Sequence, residues 1–303
     1  MSQPSPQASP QAGQQGPAFT IGGRPLAPGL YLVATPIGAA RDITLRALDI
    51  LATADVLAAE DTRTLRHLME IHGIALGDRP LVAVHDHNEA AASPRLIRAM
   101  AEGKSVAYAS EAGTPMVSDP GFPLARASIA AGLPVIAAPG PSAALCALTV
   151  SGLPSDRFMF AGFAPAASAA RRSFLEGLRD IEATLILYES PKRINHLLKD
   201  LSQCLGEMRQ AAICRELTKR FEEITRGSLA ELTAAYAGRD VKGEIVVLID
   251  RAGKSQVDQG DWEAALDRAM EQMSVKDAAG MVAEAYDLPR RDVYQVALKR
   301  GKR

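Results

Sequence analysis

Short apolar runs alternate with amphipathic stretches along most of the chain. The runs cover residues 30–34, 55–59, 81–84, 105–109 and 134–138, and between them residues 43–51, 64–72, 94–101 and 124–131 carry apolar side chains at helical spacing. Three of the helical stretches stop at Gly73, Gly103 and Gly132, where a helix end easily takes a positive φ. Strand–helix alternation of this kind predicts a largely parallel sheet with helices on both faces.

The rhythm pauses at Gly152-Leu153-Pro154 and resumes with runs at 158–163, 184–188, 211–214, 222–225 and 243–250, interleaved with helical stretches at 168–179, 191–202 and 228–236. Short connections suggest that the run at 158–163 and the two final runs pair antiparallel. A polar link over 251–259 leads into purely helical patterning: Ser274 can begin a helix over 274–285, Asp287-Leu288-Pro289 a turn, and 290–299 a second helix, the spacing of a helix-turn-helix. The expected organisation is an α/β fold with a first domain at 28–150, a second at 151–250 and a helical domain at 251–303. A disordered tail is expected over 1–27, because its first 23 residues carry no charged side chain and are rich in Pro, Gln, Ser and Gly.

Composition changes the picture little. At 47% hydrophobic and 23% charged, the 303 residues suit a globular protein with real cores. The net charge of -1 gives no global attraction to nucleic acid, so any such contact must be local. The last sixteen residues supply one patch: Arg290, Arg291, Lys299, Arg300, Lys302 and Arg303 against the single acid Asp292. A solvated helical cap explains that surplus equally well. Cys146, Cys204 and Cys214 form no C-x-x-C pair and read as reduced thiols of a cytoplasmic protein, and no apolar run is long enough to span a membrane.

The chemistry concentrates where strands end. After the run at 105–109 comes Ser110-Glu111-Ala112-Gly113-Thr114-Pro115-Met116-Val117-Ser118-Asp119-Pro120-Gly121, a long loop whose glycines permit close approach and whose prolines stiffen the turns. Pro139-Gly140-Pro141-Ser142-Ala143 follows the next run. Ala34-Thr35-Pro36-Ile37-Gly38, Ala59-Glu60-Asp61-Thr62-Arg63 and His85-Asp86-His87-Asn88-Glu89 end the first three, with Asp42 a possible cap for the helix after Gly38. All five should gather along one edge of one sheet, where open α/β sheets bind ligands. His85 and His87 share a strand face, but no third ligand suits a metal. Nucleotide loops of the G-x-G-x-x-G or G-x-x-x-x-G-K-[ST] type, and the hydrolase elbow G-x-S-x-G, are absent.

The ordered series ATPIG, AEDTR, HNE, AGTPMVSDPG, PGPSAA, SGLPSDRF, YESPKR, RELTK and GEIVVLI resembles the ribosomal RNA methyltransferases of the tetrapyrrole-methylase superfamily, from about Gly29 to Asp250 and on through KDAAGMVAEAYDLPRRDVYQVAL. Four positions depart from that pattern: Ala39-Ala40 in place of Asn-Leu, Glu111 in place of Asp, and Lys192 in place of His. The resemblance implies two tetrapyrrole-methylase-type α/β domains in a homodimer, S-adenosylmethionine in the cleft between the domains, and methylation of the 2′-hydroxyl of a decoding-centre cytidine in 16S rRNA, free or in the small ribosomal subunit. It further implies that Gly113, Thr114, Pro115, Asp119, Pro139, Gly140, Pro141, Ser142 and Ala143 line the cofactor site from the first domain. Tyr188, Glu189, Ser190, Leu217, Gly243 and Glu244 would approach it from the second.

Transfer to a ribose hydroxyl needs alignment and a proton acceptor. Asp61, Glu60, His87 and Glu89, in that order, are the candidates, each with helix capping or an ion pair to Arg63 or Arg66 as the competing role. Arg46 and Arg63, together with Arg290, Arg291, Lys299 and Arg300, could hold RNA phosphates. Two other functions fit the same pattern: methylation of a tetrapyrrole or of a diphthine-type modified histidine, and a nucleic-acid-binding regulator that transfers nothing.

Overall fold

A computed structural model of the chain describes residues 21–85, 87–252, 259–286 and 288–300. The expected tail as far as residue 20, Asp86, residues 253–258 of the link, Asp287 of the turn, and the basic residues Lys302 and Arg303 lie outside the described residues. Ile21 and Leu26, at the described end of the expected tail, pack against the first core, and the Gly22 N–H donates to Asp49 at 3.0 Å.

The described residues fold as two compact units, one of residues 21–147 with 216–223, the other of 148–215 with 224–300. In the first, β1 (Gly29–Val33), α1 (Leu45–Thr53), β2 (Val56–Ala59), α2 (Thr62–Ile71), β3 (Leu81–Ala83), α3 (Glu89–Ala101), β4 (Ser105–Ala109), α4 (Phe122–Ala130), β5 (Val135–Ala138) and α5 (Ala143–Ser151) follow one another; the unit boundary falls within α5. The sheet order is β3-β2-β4-β1-β5 with every pairing parallel. The period of two in β1 explains why it must be central: Tyr31 and Val33 join the core built with α1 and α2, whereas Leu30 and Leu32 join the core built with α3 and α4. β1 therefore leads to a helix on one face and its neighbour β4 to a helix on the other. The chain thus leaves the carboxyl ends of these two strands towards opposite faces, the kind of place where open α/β sheets bind ligands.

Local signals set the helix starts. Thr44, rather than Asp42, caps α1 by accepting the Ala47 N–H at 3.1 Å. Gly73, Gly103 and Gly132 follow α2, α3 and α4 with φ of 68°, 88° and 72°.

The second unit contains β6 (Phe158–Phe163), α6 (Ser168–Glu176), β7 (Thr184–Glu189), α7 (Ile194–Leu205), β8 (Gln210–Arg215), β9 (Glu223–Ser228), α8 (Leu229–Tyr236) and β10 (Ile245–Ile249). Its sheet runs β6-β7-β10-β8-β9. β10 is antiparallel to both β7 and β8, but β6 is parallel to β7, against the antiparallel expectation. The crossover helix α6 between β6 and β7 carries the chain back to the same end, so the second strand enters in the same direction. Leu185, Leu187, Ile213, Val247 and Ile249 pack with α6, α7 and α8 on one face.

Helices α9 (Gln259–Met270), α10 (Val275–Ala285) and α11 (Arg290–Arg300) close the chain around a core of their own, with Trp262, Leu266, Val282, Val293 and Ala297 buried. Ser274 caps α10 through the Asp277 N–H at 3.2 Å. Among the described residues no helix is long and apolar enough to cross a membrane.

Candidate active site

Three loops meet at the carboxyl edge of the first sheet. Thr35, just past β1, and Gly113, in the loop after β4, exchange backbone hydrogen bonds of 2.9 and 3.0 Å. The Thr35 hydroxyl, in a residue only 2% exposed, donates to the Ser110 carbonyl at 3.1 Å, and the Ser110 hydroxyl donates to the Gly113 carbonyl at 2.7 Å. Thr114 then reaches the loop after β5, donating to the Pro141 carbonyl at 2.8 Å. Gly113 sits at φ 84°, and Met116 and Ser118 hold the left-handed region without being glycines. Such strain costs about 1–3 kcal/mol per residue and persists where surroundings enforce it, as ligand clamps do. A Cβ on Gly140 would stand 2.9 Å from the Ala34 Cβ, so only glycine lets these loops close.

A fourth segment joins them. Residues 216–223 leave β8 of the second unit yet pack in the first. The Ala39 N–H donates to the Thr218 hydroxyl at 3.0 Å, and a Cβ on Gly38 would fall 2.5 Å from Lys219 Cγ and 3.0 Å from the Leu217 carbonyl oxygen. Leu217, expected on the second domain, is thus buried in the first unit. The sequence reading missed this excursion; its one visible signal is the charged, unperiodic stretch Thr218-Lys219-Arg220-Phe221-Glu222 between two strands.

The four proton-acceptor candidates separate. Asp61 is the N-cap of α2: its carboxylate accepts the Arg63 and Thr64 N–H groups at 2.7 and 3.4 Å and the Arg63 guanidinium at 2.7 and 3.2 Å. The Arg63 side-chain hydrogen bonds, with its backbone N–H next, hold the Asp61 pKa down to about 2. A carboxylate that surrenders its charge only near pH 2 is a weak base. Asp61→Asn is therefore expected to keep turnover within about threefold of wild type at saturating substrates, since base catalysis would contribute roughly a hundredfold or more. Because the folded pKa lies below the unbound 3.8, the cap's contribution is complete above about pH 4 and is lost as pH falls towards 2. An acid unfolding titration of the variant should lack that component.

Glu89 is 4% exposed and accepts the Leu124 N–H at 2.9 Å and the Gly121 N–H at 3.4 Å. It caps α4 from across the structure, the competing role named for it. His87 is exposed in the turn before α3, its ring 6.1 Å from that of His85. Glu60 is half-buried at the end of β2, its N–H donating to the Ala109 carbonyl at 3.4 Å. Among the described residues no three His, Cys, Asp or Glu side chains group as a metal site would require.

In the second unit, Glu189 is buried at the end of β7 and is occupied by its own chain: it accepts the Ser190 N–H at 2.7 Å and Arg193 at 2.7 and 3.0 Å. Tyr188 packs edge-on to Phe160 and Phe163. Gly243, at φ 90°, and the exposed Glu244 precede β10.

The basic candidates divide too. The exposed Arg46 donates to the Ala137 carbonyl at 3.1 Å, near the end of β5, and Arg63 is 89% exposed despite its pairing with Asp61. Arg290 lies against α10, its guanidinium 3.1 Å from where a Gly280 Cβ would stand. Arg300 instead ties α11 to α9 through Glu263 and Asp267, both at 2.5 Å. Arg291 and Lys299 are exposed.

The comparisons with known proteins agree with this arrangement. The model of the Tetrapyrrole (Corrin/Porphyrin) Methylases matches residues 29–233, and that of the RsmI C-terminal HTH domain matches residues 256–301. Ribosomal RNA small subunit methyltransferase I of Mesorhizobium japonicum is 49% identical, over 87% of this chain and 89% of its own. The protein of the same name from Xylella fastidiosa is 44% identical, over 88% and 97%. A uroporphyrin-III C-methyl transferase from Thermus thermophilus, solved in complex with S-adenyl homocysteine, shares the fold at TM-score 0.52 and 20% identity over 74% of this chain and 98% of its own. With an ordered set of strand-end loops and a matching terminal helical domain, the chain belongs to the ribosomal RNA small subunit methyltransferase I family of the tetrapyrrole methylases.

Proposed function

We propose that this protein transfers a methyl group from S-adenosylmethionine to the 2′-hydroxyl of a decoding-centre cytidine in 16S rRNA. The observation that carries the reading is the joining of the loops after β1, β4 and β5 by Thr35, Gly113, Thr114 and Pro141 into one hydrogen-bonded edge. The edge suits a small polar cofactor: Gly140 leaves its backbone exposed, and a Cβ there would meet the Ala34 Cβ across the loops at 2.9 Å. In this reading Gly113, Thr114, Pro115, Asp119, Pro139, Gly140, Pro141, Ser142, Ala143, Leu217, Tyr188, Ser190, Gly243 and Glu244 would contact the cofactor.

When bound, the sulfonium supplies an electrophilic methyl. The chain's residues must align the ribose oxygen and take its proton, and alignment alone can lower a barrier by roughly 7–11 kcal/mol in the best cases. With Asp61 held acidic and Glu89 engaged as a cap, proton acceptance falls to Glu60 or His87. Arg46 and Arg63 would meet phosphates near the same edge, and Arg290, Arg291 and Lys299 from the terminal helices.

Incubation with labelled cofactor and small subunits from cells lacking the protein tests the reading. Label on one cytidine ribose is expected; label on a base, or none, would reject it. Replacing Arg291 and Lys299 together by alanine should weaken RNA binding and flatten its log–log salt dependence by about 0.7 per lost phosphate contact on single strands. An unchanged slope would remove α11 from the interface.

A further inference from the structure

We propose that Phe221, with the Arg220 guanidinium over its ring, is a stacking platform for an unpaired nucleobase of the RNA substrate. The inference rests on the rRNA methylation reading and adds to it a base-contacting residue on the segment 216–223.

That segment is held firmly but carries an apolar tip into solvent. Ala39 anchors it through the Thr218 hydroxyl at 3.0 Å, and the Thr218 N–H donates to the Glu222 carboxylate at 2.6 Å. The Lys219 N–H donates to the Glu216 carbonyl at 3.0 Å, and the Glu222 N–H to the Lys219 carbonyl at 3.1 Å. Glu216 and Thr218 take φ of 52° and 63°, a region that non-glycine residues keep only when neighbours impose it. Against this rigid background Phe221 is 63% exposed. Phe221 thus presents its ring to solvent from a hydrogen-bonded segment, and what sets it apart from the other exposed apolar side chains is the cation beside it.

Its companion narrows the occupant. The Arg220 guanidinium lies 5.4 Å from the ring centroid. The Glu216 carboxylate pairs with Lys219 at 3.1 Å and that of Glu222 is taken by the Thr218 N–H, so among the described residues Arg220 has no carboxylate partner. An uncompensated planar cation beside an exposed aromatic face matches a nucleotide: the base stacks, and the guanidinium meets a second base face or the phosphate. Sequence-tolerant recognition of unpaired RNA relies on such pairs. The location fits, because the segment packs on the loop after β1, on the sheet edge to which Arg46 and Arg63 also belong.

The test uses the full chain with Phe221→Ala and Phe221→Trp. Readouts are KM for unmodified small subunits, the Kd of S-adenosylmethionine, Kd for a single-stranded oligonucleotide, and sedimentation. Phe221→Ala is expected to raise the RNA KM and oligonucleotide Kd about tenfold, as loss of one stacked base does. Its cofactor Kd should not move. Phe221→Trp should restore affinity, with tryptophan emission quenched by the oligonucleotide beyond that of wild type, which has one tryptophan. Unchanged KM in Phe221→Ala overturns the proposal while leaving the methylation reading intact. So does a shift of that variant to a smaller species, which would make a second copy the ring's occupant. A wild-type protein that binds cofactor but methylates no RNA fails the parent reading and the platform with it.

Discussion

Glu89→Ala is expected to destabilise the first unit by roughly 2–4 kcal/mol, because two backbone donors lose a charged acceptor in a buried place. The N-terminus of α4 has no side-chain cap of its own: its cap position is Gly121, at φ 117°. A side chain there is barred twice, by that φ and by the Tyr108 ring, which a Cβ would meet at 2.9 Å. Glu89 therefore supplies from α3 what Gly121 cannot, accepting the Leu124 and Gly121 N–H groups and favouring the positive end of the helix dipole. The loop over 110–121 ends at this joint, so the variant should also bind S-adenosylmethionine at least about tenfold more weakly, the equivalent of about 1.4 kcal/mol of lost loop order. Glu89→Gln, which keeps one acceptor for Leu124, should recover about half of the stability. Urea unfolding and calorimetric titration measure both. A normal unfolding midpoint combined with lost turnover would contradict the capping role and return Glu89 to the list of proton acceptors.

The second large effect is expected from Gly38→Ala. The added methyl would lie 2.5 Å from Lys219 Cγ, 2.6 Å from the Thr218 hydroxyl and 3.0 Å from the Leu217 carbonyl oxygen. A hydroxyl can rotate away, but a backbone carbonyl cannot, so the segment 216–223 must move and the Ala39–Thr218 hydrogen bond is lost. Overpacking of this kind costs about 1–3 kcal/mol. Methyl transfer to small subunits should fall at least about tenfold if this segment helps place the RNA, since 1.4 kcal/mol of misplacement suffices for that factor. Gly73→Ala is the control: its φ is 68°, so alanine there is strained, but nothing stands within 4 Å of the new methyl. Equal destabilisation with equal activity in the two variants would show that the contact at Gly38 has no functional consequence.

The positions of strands and helices in the first unit were legible because burial on both faces leaves a simple mark. Runs such as 30–34 and 105–109 are apolar apart from Ser105, as suits a central parallel strand buried on both faces and not a half-exposed one. The loops that carry chemistry were legible for a related reason: glycine, proline and small hydroxyl residues crowd together only where backbone must turn sharply near a ligand. The direction of β6 was misread although the helical stretch at 168–179 separates it from β7: a helical crossover of that length returns the chain to the same end, so the two strands run parallel.

Roles of individual charged residues were the least legible. Asp61 and Glu89 end or follow strands as a catalytic carboxylate would, yet Asp61 caps the helix after it and Glu89 caps a helix more than thirty residues away. Arg300 looks like part of a basic patch and proves to be a tie between α11 and α9. Charge is a property of the residue; its partner is a property of the packing.

Local pattern by itself determined the strand and helix sites, the loops at the sheet edge and the separate helical end of the chain, because these follow from the periods of apolar side chains and the conformational limits of glycine and proline. Only the tertiary structure decided that residues 216–223 join the first unit, that Glu89 braces α4, and that Phe221 stays in water. Each of those depends on which atoms meet across long separations in the chain, and no period or propensity encodes such a meeting.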